Sequence, residues 1–295
     1  MKVTMLGTCS PIPDADRCQS SFAVTLNNTH YLFDCGHGAT RQLVRANIDP
    51  ASVNVLFISH LHYDHIGDFA HFILSTWICN REVKPTVLGP AGTREFVNRL
   101  LENGAFEVDI RHRAMSPKRR DTIELIRPDV IELSPGQVYE DDNIKVFADY
   151  VSHIPKEVSP CFGFRLESKI DGKTVVYSGD TGPVESMYTL AKDCDLLIHE
   201  CTFPDVEYKQ GVMQHFTHTT PRLLGKFAAE ANIKNLVATH FTNLDTTNPI
   251  VKKHISQYVP IEMIGPEMMD EIAKAIRESY KGPLWLAHDL MRIYL

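Results

Sequence analysis

A β-branched, apolar run, residues 53–59 (VNVLFIS), leads straight into the decapeptide SHLHYDHIGD at residues 59–68. Within it His60, His62, Asp64 and His65 form His-x-His-x-Asp-His, four metal-binding side chains inside six positions. The run reads as a short buried strand, so the ligands fall on the loop at its C-terminal end, where α/β proteins place their chemistry. Imidazole nitrogen and carboxylate oxygen suit divalent zinc, and two ions held close together need more ligands than one loop supplies. Further ligands are therefore expected downstream.

The rest of the chain reads as strands and helices in alternation. Strand-like runs occupy residues 2–6, 21–26, 30–34 and 53–58, with a helix after Gly38 that carries Ala39, Leu43 and Ala46 on one face. The metal loop feeds a helix over residues 68–78. A short strand at 85–88 and a helix at 93–102, ended by Asn103-Gly104, follow. Residues 107–137 show no clean period, which predicts an insertion or lid. In the second half, strand-like runs at 144–151, 161–166, 175–178, 196–198 and 236–238 alternate with helices starting near Pro183 and Pro221. Three of these strands end in a candidate ligand: His153, Asp180 and His240. The tail at 283–295 (PLWLAHDLMRIYL) reads as a final strand with its lead-in.

Composition bounds the function. With 295 residues and 43% hydrophobic content the chain can bury an ample core, and no linker divides it, so a single domain over 1–295 is expected. No apolar stretch reaches the roughly 18 residues of a membrane span, and the N-terminus runs directly into a strand with no signal-peptide pattern. The 7 cysteines are scattered without metal-finger or CxxC spacing and read as reduced thiols, Cys9, Cys35 and Cys161 as small buried hydrophobes. A cytoplasmic location follows. The formal net charge of −7 argues against nucleic-acid binding by overall field. One local exception is the run Arg111, Arg113, Lys118, Arg119 and Arg120, which is either a solvated loop or a rim that attracts an anionic substrate.

The metal loop in this context resembles the metallo-β-lactamase superfamily of hydrolases. His62 stands where a glutamate would mark diiron flavoproteins, and Ser178-Gly179-Asp180-Thr181 offers a carboxylate where one lactamase subclass has cysteine. Residues 5–13 (MLGTCSPIP), 32–36 (LFDCG), Gly89-Pro90 with 93–97 (TREFV), and 179–183 (GDTGP) follow the ribonuclease Z pattern in order. The resemblance implies an α/β fold, the four-layer αββα sandwich, and a homodimer. It implies that His60, His62 and His153 hold one zinc, that Asp64, His65 and His240 hold the other, and that Asp180 bridges them. Mn²⁺ or Fe²⁺ can replace Zn²⁺ in such sites. Two zincs about 3.5 Å apart can share a water, lower its pKa and clamp a phosphodiester as the bridging hydroxide attacks. Residues 199–203 (HECTF) resemble the family's His-Glu-Ala-Thr block and 218–220 (HTT) its His-Ser-Thr block, which implies that Glu200 orients His218 as the acid for the leaving group. His218 is preferred to His215 because only His218 precedes the Thr-Thr. Thr220 then reads as an N-cap and Pro221 as the first helical residue.

Departures from that pattern bear on the substrate. Relatives that process transfer RNA carry a long flexible arm between the strand at 161–167 and the Asp180 motif. Here residues 168–177 make only a hairpin, with Asp171-Gly172 as its turn. His37 replaces the family's glutamate after Asp-Cys-Gly, and no Arg-Tyr follows His240. Two substrate classes remain: RNA or a small phosphodiester, with His218 as acid, or a small-molecule ester, lactone, β-lactam or sulfate ester, with Asp64 as proton shuttle. A noncatalytic metal-binding protein is disfavoured because the full ligand set is present.

Overall fold

The computed structural model describes residues 1–205 and 217–295. Apolar residues at alternate positions give each strand one face for the centre of the molecule and one for a helical layer. In chain order the strands are β1 (Lys2–Gly7), β2 (Ser21–Leu26), β3 (Thr29–Phe33), β4 (Val55–Phe57), β5 (Thr86–Gly89), β6 (Asp129–Glu132), β7 (Gly136–Glu140), β8 (Ile144–Val151), β9 (Cys161–Ser168), β10 (Thr174–Tyr177), β11 (Leu196–Glu200), β12 (Leu236–Thr239), β13 (Leu284–Leu286) and β14 (Arg292–Tyr294). Among the described residues they form two seven-stranded sheets, ordered β14-β1-β2-β3-β4-β5-β6 and β13-β12-β11-β10-β9-β8-β7.

The helices are α1 (Ala39–Arg45), α2 (Tyr63–Ile66), α3 (Phe69–Ile78), α4 (Thr93–Leu101), α5 (Glu107–Arg113), α6 (Pro117–Arg120), α7 (Glu185–Ala191), α8 (Pro221–Glu230), α9 (Pro249–Ile255) and α10 (Met268–Arg277). One core lies between the outer face of the first sheet and α1, α3 and α4, filled by residues such as Leu32, Leu56, Phe72 and Trp77. The other lies between the sheets and continues to α7, α8 and α10, with Phe33 and Phe57 of the first sheet meeting Phe164 and Tyr177 of the second. This is the αββα sandwich that the resemblance implies. Helix α10 crosses α8 so closely that a Cβ on Gly225 would lie 2.2 Å from the Ile276 carbonyl oxygen.

Strand direction brings the chemistry to one edge. Strands β3 to β6 run parallel to one another, as do β10 to β13, while β8 and β10 each pair antiparallel with β9 and so point the same way. The loops after β3, β4, β8, β10, β11 and β12 carry Asp34, the metal loop, His153, Asp180, Thr202 and His240 in turn. Strand ends of a parallel sheet are where α/β proteins form their clefts.

Two expectations need correction. The tail is not one strand but two, and they belong to different sheets: β13 pairs parallel with β12, and β14 pairs antiparallel with β1. It therefore closes an edge of each sheet. The run from Arg111 to Arg120 does not leave a cluster of free charge. Arg111 pairs with Glu107, Arg113 with Asp109 and Arg120 with Asp121, while Arg119 donates to the Trp77 and Ile78 carbonyls and lies over the Trp77 ring. The segment is helical where a loop was one of the expectations, and Arg111, Arg113, Lys118 and Arg120 are exposed to solvent. Residues 107–137 hold α5, α6, a 3₁₀ turn and β6, whose pairing with β5 extends the first sheet.

Candidate metal centre

The approach of two loops sets the site. Cys35 donates its N–H to the His65 carbonyl, and Asp68 donates back to the Cys35 carbonyl, so the chain after β3 is laced to the metal loop. Gly36 is required there: a Cβ would lie 2.3 Å from the Asp64 carbonyl oxygen. Asp34 and His240 both adopt left-handed backbone, with φ of 54° and 59°. A non-glycine residue held there stores strain of order 1–3 kcal/mol, which surrounding contacts must outweigh.

The structure brings the seven expected ligands into two groups that share Asp180: His60, His62, His153 and Asp180, and Asp64, His65, Asp180 and His240. Within each group the donor atoms all lie within 4.8 Å of one another. His153 Nε2 is 3.0 Å from His62 Nδ1, and His65 Nε2 is 3.3 Å from His240 Nε2. Asp180 Oδ2 lies 3.8 Å from His60 Nε2, 3.7 Å from His153 Nε2 and 3.3 Å from His240 Nε2, and its Oδ1 lies 3.4 Å from His65 Nε2. All are buried except His62, which is exposed, and His153, which is half-buried.

The outer nitrogens of these rings are already engaged. His65 Nδ1 meets Asp34 Oδ2 at 2.7 Å, His60 Nδ1 meets Ser59 Oγ at 3.0 Å, His153 Nδ1 meets the Thr217 carbonyl at 3.0 Å, and His240 Nδ1 meets Thr202 Oγ1 at 2.8 Å. Asp34 also accepts from the Ser59 N–H, the Ser59 hydroxyl and the Tyr177 hydroxyl. A carboxylate or carbonyl can only accept, so His65 and His153 carry their proton on Nδ1 and turn an Nε2 lone pair inward. This is how outer partners set the tautomer of a metal-ligating histidine.

That inward face asks for cations. His60 Nε2 and Asp180 Oδ1 are buried with no hydrogen-bond partner, an arrangement costly for polar atoms unless something else meets them. Burial opposes a charge on His65, but the Asp180, Asp34 and Asp64 carboxylates outweigh it and push its pKa well up, which measures how strongly the cluster attracts positive charge. His60, with several imidazoles beside it, is instead pushed well down, chiefly by burial. Nitrogen and carboxylate donors in two groups bridged by one aspartate fit divalent transition metals.

Beside the ligands stands the expected acid pair. His218 Nδ1 lies 2.9 Å from Glu200 Oε1, which also accepts from the Thr219 and Thr181 N–H groups. The His218 ring sits 4.7 Å from that of His153 and 6.0 Å from that of His240. Burial alone would lower the His218 pKa; the Glu200 charge and hydrogen bond outweigh it and hold it at about 9. Thr220 stands at the N-cap position of α8, without a side-chain capping bond, and Pro221 occupies the first turn, which leaves His218 just outside the helix. His215 lies outside the described residues. A cavity of about 730 Å³ opens next to His218 and Thr202, walled by Pro11, Ile12, Tyr63, Phe203, Ile250 and Tyr258. None of residues 107–137 lines it.

Sequence reasoning did not single out Asp34, Ser59, Tyr177, Thr202 or Thr217. Asp34 lies inside the LFDCG block, and Thr202 inside HECTF, but which atoms they would meet depends on residues 25 to 143 positions away that only the fold brings to them.

The fold is that of the metallo-β-lactamase proteins, and its relatives named ribonuclease Z make the chain a metal-dependent hydrolase. Residues 1–255 match the family model described as anti-Pycsar protein Apyc1, and the chain belongs to that family. It is also 30% identical over 300 residues to the ribonuclease Z of Mycobacterium bovis, across 99% of this chain and 98% of that protein. Among solved structures it is similar to the metallo-β-lactamase fold protein YhfI from Bacillus subtilis, with TM-score 0.73 at 18% identity, covering 99% of both chains. The short form of human tRNase Z superposes with TM-score 0.67 at 24% identity, over 100% of this chain and 99% of that one.

Proposed function

We propose that the protein is a binuclear zinc phosphodiesterase that cleaves small phosphodiesters. The reading is carried by the His218–Glu200 pair set against both ligand groups: a protonated imidazole beside a dinuclear-type site is what an oxygen leaving group of high basicity requires. His60, His62 and His153 would hold one ion, Asp64, His65 and His240 the other, with Asp180 spanning them. When bound, such ions supply Lewis acidity and a water of lowered pKa.

The chain's own residues do the rest. Asp34 and Ser59 hold His65 and His60 with their free nitrogens inward, so the ligands need no rearrangement. Glu200, buried and accepting from several donors, stays ionised and keeps the proton on His218. With Nδ1 given to Glu200, His218 has its Nε2 proton to deliver to the departing oxygen. The cavity beside it would seat the organic part of the substrate, and its volume lies within the roughly 300–1,000 Å³ of small-molecule sites.

Two observations favour a small substrate over a transfer RNA precursor. Strands β9 and β10 are joined by a tight turn at Asp171-Gly172, with Gly172 at φ 68°, and no arm extends there. Arg111, Arg113 and Arg120 of the basic run are each paired with an acid beside them, and the net charge is negative. Against these stand the ribonuclease Z relatives, whose name speaks for RNA.

The test is to compare steady-state rates of zinc-loaded protein on bis(p-nitrophenyl) phosphate, a small nucleoside phosphodiester, a tRNA precursor, an acyl-homoserine lactone and a chromogenic cephalosporin. Turnover of the two small phosphodiesters, at least about 100-fold above the others in kcat/KM, is expected. Preference for the lactone or the cephalosporin would overturn the reading and assign proton transfer to Asp64; preference for the precursor would restore the RNA substrate.

A further inference from the structure

Thr202 occupies a position that neither ligation nor acid catalysis explains. Its side chain is buried two residues past the end of β11 at Glu200. Its N–H and its hydroxyl both reach Glu200 Oε2, at 3.0 and 2.7 Å, while the same hydroxyl lies 2.8 Å from His240 Nδ1. The other oxygen of Glu200 carries His218.

The proton count along this chain has one solution. A carboxylate only accepts, and a hydroxyl has a single proton. If Thr202 gave that proton to His240, two oxygen lone pairs would face each other across 2.7 Å beside a buried charge. The hydroxyl therefore donates to Glu200, and His240 Nδ1–H donates to the hydroxyl. His240 is thus fixed with its Nε2 lone pair toward Asp64 Oδ2 and Asp180 Oδ2, 3.2 and 3.3 Å away. The outer partners of His60 and His65, Ser59 and Asp34, form a separate network on the first sheet. Of the hydrogen-bonded partners described for the ligand histidines, Thr202 is the side chain that also touches Glu200.

We propose that Thr202 is a positioning residue that sets the tautomer of His240 and the orientation of Glu200 together, so that filling the Asp64–His65–His240 ion site and aligning the His218 acid are coupled through one hydroxyl. With an ion held at Nε2, His240 would be a stronger donor through Nδ1–H, and the onward bond from the Thr202 hydroxyl to Glu200 would strengthen in turn. Glu200 is then held against the donors on its other oxygen with His218 in register. The Thr242 N–H donates to the Thr202 carbonyl and the Cys201 N–H to the Thr239 carbonyl, which fixes the backbone here, so removing the hydroxyl need not move the chain.

The proposal rests on the phosphodiesterase reading for its kinetic arm only; its binding arm stands without it. Metal-free protein is titrated with Zn²⁺ against a chelating dye, for the parent, Thr202→Val and Thr202→Ser. Valine keeps the shape and loses the hydroxyl; serine keeps the hydroxyl. Thr202→Val is expected to weaken one of two binding events by about 10- to 100-fold, the scale for an outer partner of a metal ligand, and to leave the other unchanged, with Thr202→Ser restoring the parent curve. In the kinetic arm, Thr202→Val at saturating zinc loses more kcat on an alkyl phosphodiester than on a nitrophenyl one. Parent-like binding by Thr202→Val, failure of Thr202→Ser to restore it, or an equal loss at both sites with a lowered melting temperature would each overturn the proposal. Selective weakening of one site with equal kinetic losses on the two esters would overturn the coupling to His218. If no phosphodiester is turned over at all, the function reading fails while the binding result still decides the tautomer claim.

Discussion

His218→Ala separates acid catalysis from every other role that a histidine at this place can have. The side chain touches neither donor group as a ligand: its Nδ1 is spent on Glu200, and the two metal groups close without it. Removing it should therefore leave the zinc content unchanged. General acid catalysis contributes about 100- to 10,000-fold, equivalent to about 3–5 kcal/mol of barrier, when the leaving oxygen is strongly basic. A nitrophenolate departs with little help. The expected result is a kcat loss in that range on an alkyl or nucleoside phosphodiester, against a loss of less than about tenfold on a nitrophenyl ester. Glu200 loses one donor but keeps the N–H groups of Thr181, Thr219 and Thr202 and the Thr202 hydroxyl, so the fold should lose no more than about 1–3 kcal/mol. Rates on both esters, metal content by elemental analysis and a thermal melt complete the assay. Equal losses on the two esters would make His218 a positioning residue; loss of an ion would make it a ligand; unchanged rates on both would refute the acid role and favour the small-molecule reading with Asp64 as shuttle.

The other predictions follow from the same contacts. In the metal-free protein, His218 is held at about 9 against an ordinary value of about 6.5, so its contribution to stability is complete below about pH 6.5 and is lost as pH rises through about 9. Chemical denaturation of the apo protein across that window should show the loss, and Glu200→Gln should abolish it. Asp34→Ala removes the acceptor of the Ser59 N–H, the Tyr177 hydroxyl and His65 Nδ1, all buried; a destabilisation of about 3–5 kcal/mol is expected, with zinc affinity weakened at least tenfold, read by denaturation and chelator competition. Deleting residues 283–295 removes an edge strand from each sheet, and with them Asp289, which accepts from Thr8, Cys18 and Gln42; circular dichroism should show no cooperative melt. If residues 107–137 cover the site as a mobile lid and the chain pairs around the rim, limited proteolysis should cut first within that segment and light scattering should give a dimer. A monomer with that segment fully protected would refute both.

The sequence made the site more legible than the frame around it. Ligands at strand ends are local facts: His60 to His65 follow β4 directly, and His153, Asp180 and His240 follow β8, β10 and β12, so period-two runs ending in histidine or aspartate point to them without knowledge of the partner strand. The acid pair was legible by resemblance, since residues 199–203 and 218–220 match two blocks of the family, and in the fold Glu200 closes β11 while His218 stands just before α8. What stayed hidden depends on tertiary neighbours. Strand β6 has a single buried residue, Val130, and earns its place only by pairing with β5. The tail shows one apolar run, but its division between β13 and β14 follows from the Asp289 turn, whose partners lie at the other end of the chain. Helix α10 carries Met268, Ile272 and Ile276 at helical spacing and went unread although its pattern is regular. The hydroxyls of Thr202 and Ser59 gave no signal because a threonine or serine at a strand end is commonplace. Only the position of His240 and Asp34 gives them work.

The central claim is that two ions on these seven side chains carry out phosphodiester hydrolysis. Its most direct test is to titrate metal-free protein with Zn²⁺ while counting bound ions and following one small phosphodiester, for the parent and for Asp180→Ala. The account predicts two ions per chain, activity that rises with the second, and a variant that loses the paired site together with about three or more orders of magnitude in rate. Hydrolysis by the metal-free protein, full activity at one ion per chain, or an Asp180→Ala variant that keeps both ions and its rate would contradict it.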